Sequence, residues 1–159
     1  MEFKECPDVR LAVPEDIPEI MRLFKEYLSE NDMDNYSEEK IVNIISLHYK
    51  KNGGIIGVIG EVGHKLKGAL VLVVQQNWFN TVYNLQELSL YVSKDHRKSN
   101  YAKQLMIFAK KAASLLDLEL RIGVWSSERT EAKINLYKRQ FNFRGAFFSY
   151  NEKIGRAHV

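Results

Sequence analysis

The spacing of apolar and polar positions changes several times along the chain, and each change marks an element. Val9-Arg10-Leu11-Ala12-Val13 alternates as a half-buried strand does. Pro14-Glu15-Asp16 places a proline and two acids where a helix start accepts them. Ile17, Ile20, Met21, Phe24 and Leu28 then recur at the spacing of one helical face. A polar, acidic loop runs from Asn31 to Tyr36. Ser37-Glu38-Glu39 reads as an N-cap and first turn. Ile41, Ile44, Ile45 and His48 carry a second helix up to Asn52-Gly53-Gly54, where it ends. His48 on that face reads as an ordinary, partly buried histidine rather than a ligand.

The pattern then turns to strands. Ile55 to Val62 and Leu66 to Gln75 are β-rich and meet at Gly63-His64 as a hairpin. Asn77 to Asn84 is an aromatic-rich loop, and Leu85 to Val92 another strand. Ser99 to Leu116 is a helix with Tyr101, Leu105, Phe108, Ala109, Ala112 and Leu116 on its core face. Leu118, Leu120, Ile122 and Val124 alternate along a strand over 118–125. Thr130 to Gln140 is a helix and Phe143 to Tyr150 a final strand. The predicted order β-α-α-β-β-β-α-β-α-β gives an α/β fold with a mixed central sheet and helices on both faces. A right-handed crossover brings strand 118–125 alongside strand 85–92 in parallel. The mouth between those strands is the expected ligand site, because the intervening helix begins there with free N–H groups.

Length and composition narrow the function. The 159 residues suit one domain with its core over 9–150, and no repeat or linker divides them. No apolar run approaches the ~20 residues of a membrane span, and the mixed-charge start lacks the stretch of a secretion signal. The single cysteine, Cys6, fits a reducing, cytoplasmic setting. A net charge of +3 is too small to indicate nucleic-acid binding. The four histidines show no metal-ligand spacing, so no metal is expected. Nor is there a Gly-x-x-x-x-Gly-Lys-Ser/Thr loop or a Gly-x-Ser-x-Gly elbow. Basic residues do concentrate locally: Lys94, His96, Arg97, Lys98 and Lys103 fall within ten positions, opposed by Asp95. Such a cluster is either a solvated helix start or a patch for phosphates.

The residues around that cluster favour phosphates. A strand ending at Tyr91-Val92 is followed by Ser93-Lys94-Asp95-His96, then by Arg97-Lys98-Ser99-Asn100-Tyr101-Ala102 at a helix start. A pyrophosphate needs several N–H donors converging from one side, which a helix start supplies with a favourable dipole. Arg97 and Lys98 add positive charge, and the small Ala102 lets phosphates approach the backbone. This stretch resembles the acetyl-CoA motif of the GCN5-related N-acetyltransferase (GNAT) family, Gln/Arg-x-x-Gly-x-Gly/Ala. Arg97 and Ala102 match its ends. Asn100 stands at its first glycine, where a left-handed backbone is expected and asparagine is the mildest replacement.

A second stretch, Thr130 to Phe143, resembles the family's penultimate helix, Asn-x-x-Ala-x-x-Leu-Tyr-x-x-x-Gly-Phe. Leu136, Tyr137 and Phe143 keep their spacing, while Thr130, Lys133 and Asn142 depart from it. Asn142 again takes a glycine position where left-handed backbone is common. The resemblance spans 9–150 and implies acetyl-CoA as co-substrate, held by Tyr91, Val92, Arg97, Lys98, Ser99, Asn100, Tyr101 and Ala102. It implies direct transfer of the acetyl group to a primary amine on a small molecule or a protein. The alternative is an acyl-CoA-binding or interaction module of the same shape without transfer activity. By the same resemblance Tyr137 protonates the departing thiolate, against a simple packing role. Glu87, in Leu85-Gln86-Glu87-Leu88 on a central strand, is either the base that deprotonates the amine or a hydrogen-bonded strand carboxylate. A homodimer and the identity of the acceptor stay open.

Overall fold

The computed structural model describes residues 4–124, 130–146 and 148–150. Five strands form one sheet in the order β1 (Val9–Leu11), β2 (Gly54–Ile59), β3 (Gly68–Gln76), β4 (Tyr83–Val92) and β5 (Glu119–Arg121). Neighbours from β1 to β4 are antiparallel and β4–β5 is parallel. Helices α1 (Ile17–Glu30) and α2 (Glu38–Tyr49) precede β2, α3 (Tyr101–Leu116) crosses from β4 to β5, and α4 (Thr130–Gln140) follows.

Strand alternation splits the core between the two faces of the sheet. Ile56, Val58, Ala69, Val71 and Tyr91 pack with Ile20 and Leu23 of α1 and Ile41 and Ile45 of α2. On the other face Leu70, Leu72, Leu85 and Val92 pack with Leu105, Phe108, Ala109 and Ala112 of α3. Gly57 belongs to the α3 side, and a Cβ there would lie 2.8 Å from the Phe108 ring. The bare backbone gives that ring its place.

Polar ties fix the ends of these elements. The pair Arg10–Asp16 is bidentate, at 2.7 and 2.8 Å, and Asp16 also accepts the Val13 N–H. Asp16 is only 2% exposed. Burial alone would raise its pKa, but the bonds from Arg10 and Val13 outweigh burial and hold it below the usual range. His48 is indeed partly buried: Nδ1 accepts the Ile56 N–H and Nε2 donates to the Ala12 carbonyl, joining α2 to β1 and β2. Ser37 caps α2 by accepting the Lys40 N–H. Cys6 is fully buried in the α3-side core, and burial pushes its thiol pKa up.

Several expectations need correction. A 3₁₀ turn, Pro14–Asp16, precedes α1. Asn84, assigned to a loop, lies in β4 and is fully buried, with its side chain donating to Asn77 Oδ1. The strand predicted over 118–125 pairs only at Glu119–Arg121; Trp125 lies outside the described residues. The final strand predicted over 143–150 does not form at 143–146 or 148–150. Phe143, Phe148 and Tyr150 stay exposed there, and a β5 of three residues offers little edge for a further strand to extend. No helix among the described residues is long and apolar enough to cross a membrane.

Candidate active site at the parting of β4 and β5

The parallel pair β4–β5 is short. Its register runs Asn84–Glu119, Leu85–Leu120 and Gln86–Arg121, after which the strands separate. Glu87 is the first β4 residue beyond the last pair, and its Oε2 accepts the Gly123 N–H at 3.4 Å across the gap. Burial pushes its pKa up to about 7, the Gly123 bond opposing only in part. A carboxyl so placed exchanges its proton near neutrality.

One residue further on, the β3–β4 ladder is irregular. Val71 pairs with Ser89 but Leu72 pairs with Glu87, so Leu88 is the extra residue of a bulge. The sequence carried a trace of it: Leu85, Leu88, Leu90 and Val92 step by three before they step by two. The bulge sits beside Glu87 and re-aims the strand where the cleft opens.

Two phenols share the electrostatic surroundings of Glu87. Tyr137, on α4, has its pKa raised by burial first, then by Glu87 and Tyr27. Tyr27, on α1, is raised by burial and by Glu87. Both hold their protons through the neutral range. Tyr27 also meets Tyr91 edge-on, at 6.1 Å between ring centres. It went unassigned in the sequence although it continues the α1 stripe through Ile20 and Phe24. Three elements distant in sequence thus place one carboxyl and two phenols within electrostatic reach of one another.

At the other end of the cleft, β4 runs into a 3₁₀ turn at Lys94–His96 and then into α3. Ser93 donates its N–H to the Lys67 carbonyl, tying the turn to β3. Ser99 Oγ accepts the Tyr101 N–H at 3.2 Å. The first intrahelical bond, Gln104 N–H to Asn100 carbonyl, leaves the Ala102 and Lys103 amides in the opening turn. Lys94, Lys98 and Lys103 are exposed around it. A cation-rimmed helix start of 16 residues is chemically suited to a pyrophosphate.

Two of the expected loop features differ from the sequence reading. Asn100 has φ −89°, not a left-handed backbone, and Asn142 is not among the positive-φ residues. Asn100 instead opens α3 at the surface, and its Oδ1 accepts from the buried Gln104 Nε2 at 2.8 Å. Arg97 also faces a protein partner. Its guanidinium contacts Glu30 Oε2 of α1 at 2.6 Å, bonds the Val92 carbonyl and lies 5.5 Å over the Tyr91 ring. Tyr91 in turn donates to Glu26 at 3.3 Å and bonds Glu30. Arg97 therefore clasps α1 to the loop ahead of α3. The Tyr91 side chain is buried under α1, so only its backbone can serve the cleft directly.

An antiparallel sheet that turns parallel at a splayed pair, with a helix start at the mouth, defines an acetyltransferase-like fold. A model of the acetyltransferase (GNAT) family matches residues 17–143, and the chain belongs to that family. No curated protein matches it by sequence. Among solved structures it is similar to AAC(6')-Iy in complex with a bisubstrate analog, CoA-S-monomethyl-acetylneamine. That match has TM-score 0.71 and 11% identity, covering 91% of this chain and 96% of the other. An aminoglycoside acetyltransferase from an uncultured soil metagenomic sample, in complex with trehalose, gives TM-score 0.67 and 14% identity over 90% and 94% of the two chains. A Trypanosoma brucei acetyltransferase gives 0.65 and 14% over 90% and 96%. At these identities the likeness concerns the fold.

Proposed function

We propose that this chain is an N-acetyltransferase that moves an acetyl group from acetyl-CoA directly to a primary amine. The observation that carries the reading is the Glu87 carboxyl at the point where β4 and β5 part, bonded across the gap by the Gly123 N–H and raised by burial to a pKa of about 7, with the protonated Tyr137 phenol within its electrostatic reach. Direct transfer needs a base for the amine and an acid for the thiolate, and this pair supplies one of each.

In this reading the segment from Lys98 to Ala102, which leads into the opening turn of α3, and the nearby lysines receive the pyrophosphate. The gap between β4 and β5 takes the pantetheine arm, with backbone groups of Tyr91 and Val92 alongside. The amine nitrogen attacks the thioester carbonyl carbon and forms the C–N bond. Glu87 takes the proton that the nitrogen must lose, directly or through a water. As the C–S bond breaks, Tyr137 gives its proton to the leaving sulfur. The products are the amide and the CoA thiol, and solvent exchange restores the two side chains. Aminoglycoside acetyltransferases stand among the structural relatives, and aminoglycosides, as polyamine-like acceptors, are one class of amine that suits the proposal.

Thiol release from acetyl-CoA across a panel of amines, run beside a direct CoA-binding titration, tests it. Amine-dependent release supports transfer. Tight CoA binding with no release across small amines, polyamines and peptides favours the non-catalytic module, and no binding at all overturns both.

A further inference from the structure

Gln104 lies inside α3, is 3% exposed, and makes three hydrogen bonds with its amide group. Its Oε1 accepts the Asp8 N–H at 3.0 Å, and its Nε2 donates to Asp8 Oδ2 at 2.9 Å and to Asn100 Oδ1 at 2.8 Å. Asp8 lies 96 positions away, just ahead of β1. Asn100 is the residue from which α3 starts.

From these bonds we infer that Gln104 is the positioning residue of the phosphate-binding turn. The inference rests on the CoA reading above and adds to it how the turn is held. A glycine at position 100 would define the turn by its freedom of backbone. This chain defines it by anchorage: the Asn100 side chain is held from inside the protein, and Asp8 fixes the amide that holds it. An amide group suits that place for a chemical reason. Both acceptors of Nε2 are oxygens, so the group between them must offer two protons, and Asp8 N–H needs an oxygen beside them. Only Gln or Asn supplies all three in one uncharged group, and Asn is one carbon short. The anchored turn then meets the pyrophosphate with its amides already converging, and less ordering is left for the ligand to impose.

The test compares two acetyl donors, acetyl-CoA and S-acetylpantetheine, which lacks the nucleotide and pyrophosphate. In Gln104→Met, which keeps length and burial, KM for acetyl-CoA should rise about tenfold more than KM for S-acetylpantetheine, the worth of one or two lost hydrogen bonds. Asn100→Ala should show the same donor-selective rise. Adding it to Gln104→Met should cost little more, because both remove one tie. Equal losses for both donors, or additive losses in the double variant, would overturn the inference and leave Gln104 as a stabiliser of α3. If Gln104→Met does not fold, Asn100→Ala decides alone, since it is exposed at the surface end of the tie. Wild-type protein that binds no CoA would fell the proposed activity as well, which separates the two failures.

Discussion

At the scale of single residues, the pKa of Glu87 has two measurable consequences. As a base it must be ionised, so kcat/KM should climb with pH through about 7. Glu87→Gln should lower turnover and flatten that limb; a variant profile parallel to the wild type would make Glu87 structural. Stability gives an independent check. The folded-state pKa lies above the ordinary carboxylate value, so the folded protein keeps a proton that the unfolded chain has released. Stability therefore falls as pH rises from about 4.5 to about 7 and then levels. Glu87→Gln removes this cost, so its advantage in urea unfolding should grow over the same interval, to at most about 3 kcal/mol. Tyr137→Phe keeps the ring and removes the acid. Under conditions where chemistry limits the rate, kcat should fall roughly 10²–10⁴-fold with donor affinity changed far less. An unchanged kcat would leave Tyr137 a packing residue. Glu87 and Tyr137 stood out as candidates because one is an acid on a central strand and the other keeps its spacing in a helix motif. Tyr27 did not, since an aromatic on a core stripe looks the same whether or not a carboxyl waits across the gap.

At the scale of elements, the sequence located nearly all of them, because their apolar periods are long and clean. What it missed involves backbone detail or weak edges. The bulge at Leu88 rests on one slipped step, and the shortness of β5 depends on where the strands diverge rather than on side-chain alternation. Asn100 misled for a related reason. Its likeness to a glycine position suggested a backbone conformation, whereas the structure uses its side chain. The clasp between α1 and the α3 loop, Glu30–Arg97–Tyr91, could not be read locally, since its partners are 67 residues apart. Arg97→Ala should cost the unliganded protein no more than about 1 kcal/mol, as befits a partly exposed pair. If the guanidinium also serves the pyrophosphate, the variant should lose much of the thermal stabilisation that CoA confers. An undiminished CoA shift would assign Arg97 to the clasp alone.

At the scale of the whole molecule, one sheet separates two cores, and the proposed site lies where their elements meet around β4 and β5. A ligand seated there touches both halves, and CoA at a hundredfold excess over its Kd should stabilise the fold by about 2.7 kcal/mol. Cys6 offers a way to watch this without a label. The only thiol of the chain is shut inside the α3-side core, and burial disfavours its thiolate. A disulfide reagent added to the native protein should therefore see nothing at first, and the CoA freed by turnover would be the sole source of colour. Left longer, with no amine present, the same reagent becomes a clock: each molecule reports once, when its core first opens, and bound acetyl-CoA, whose sulfur is blocked, should slow that clock in proportion to its occupancy.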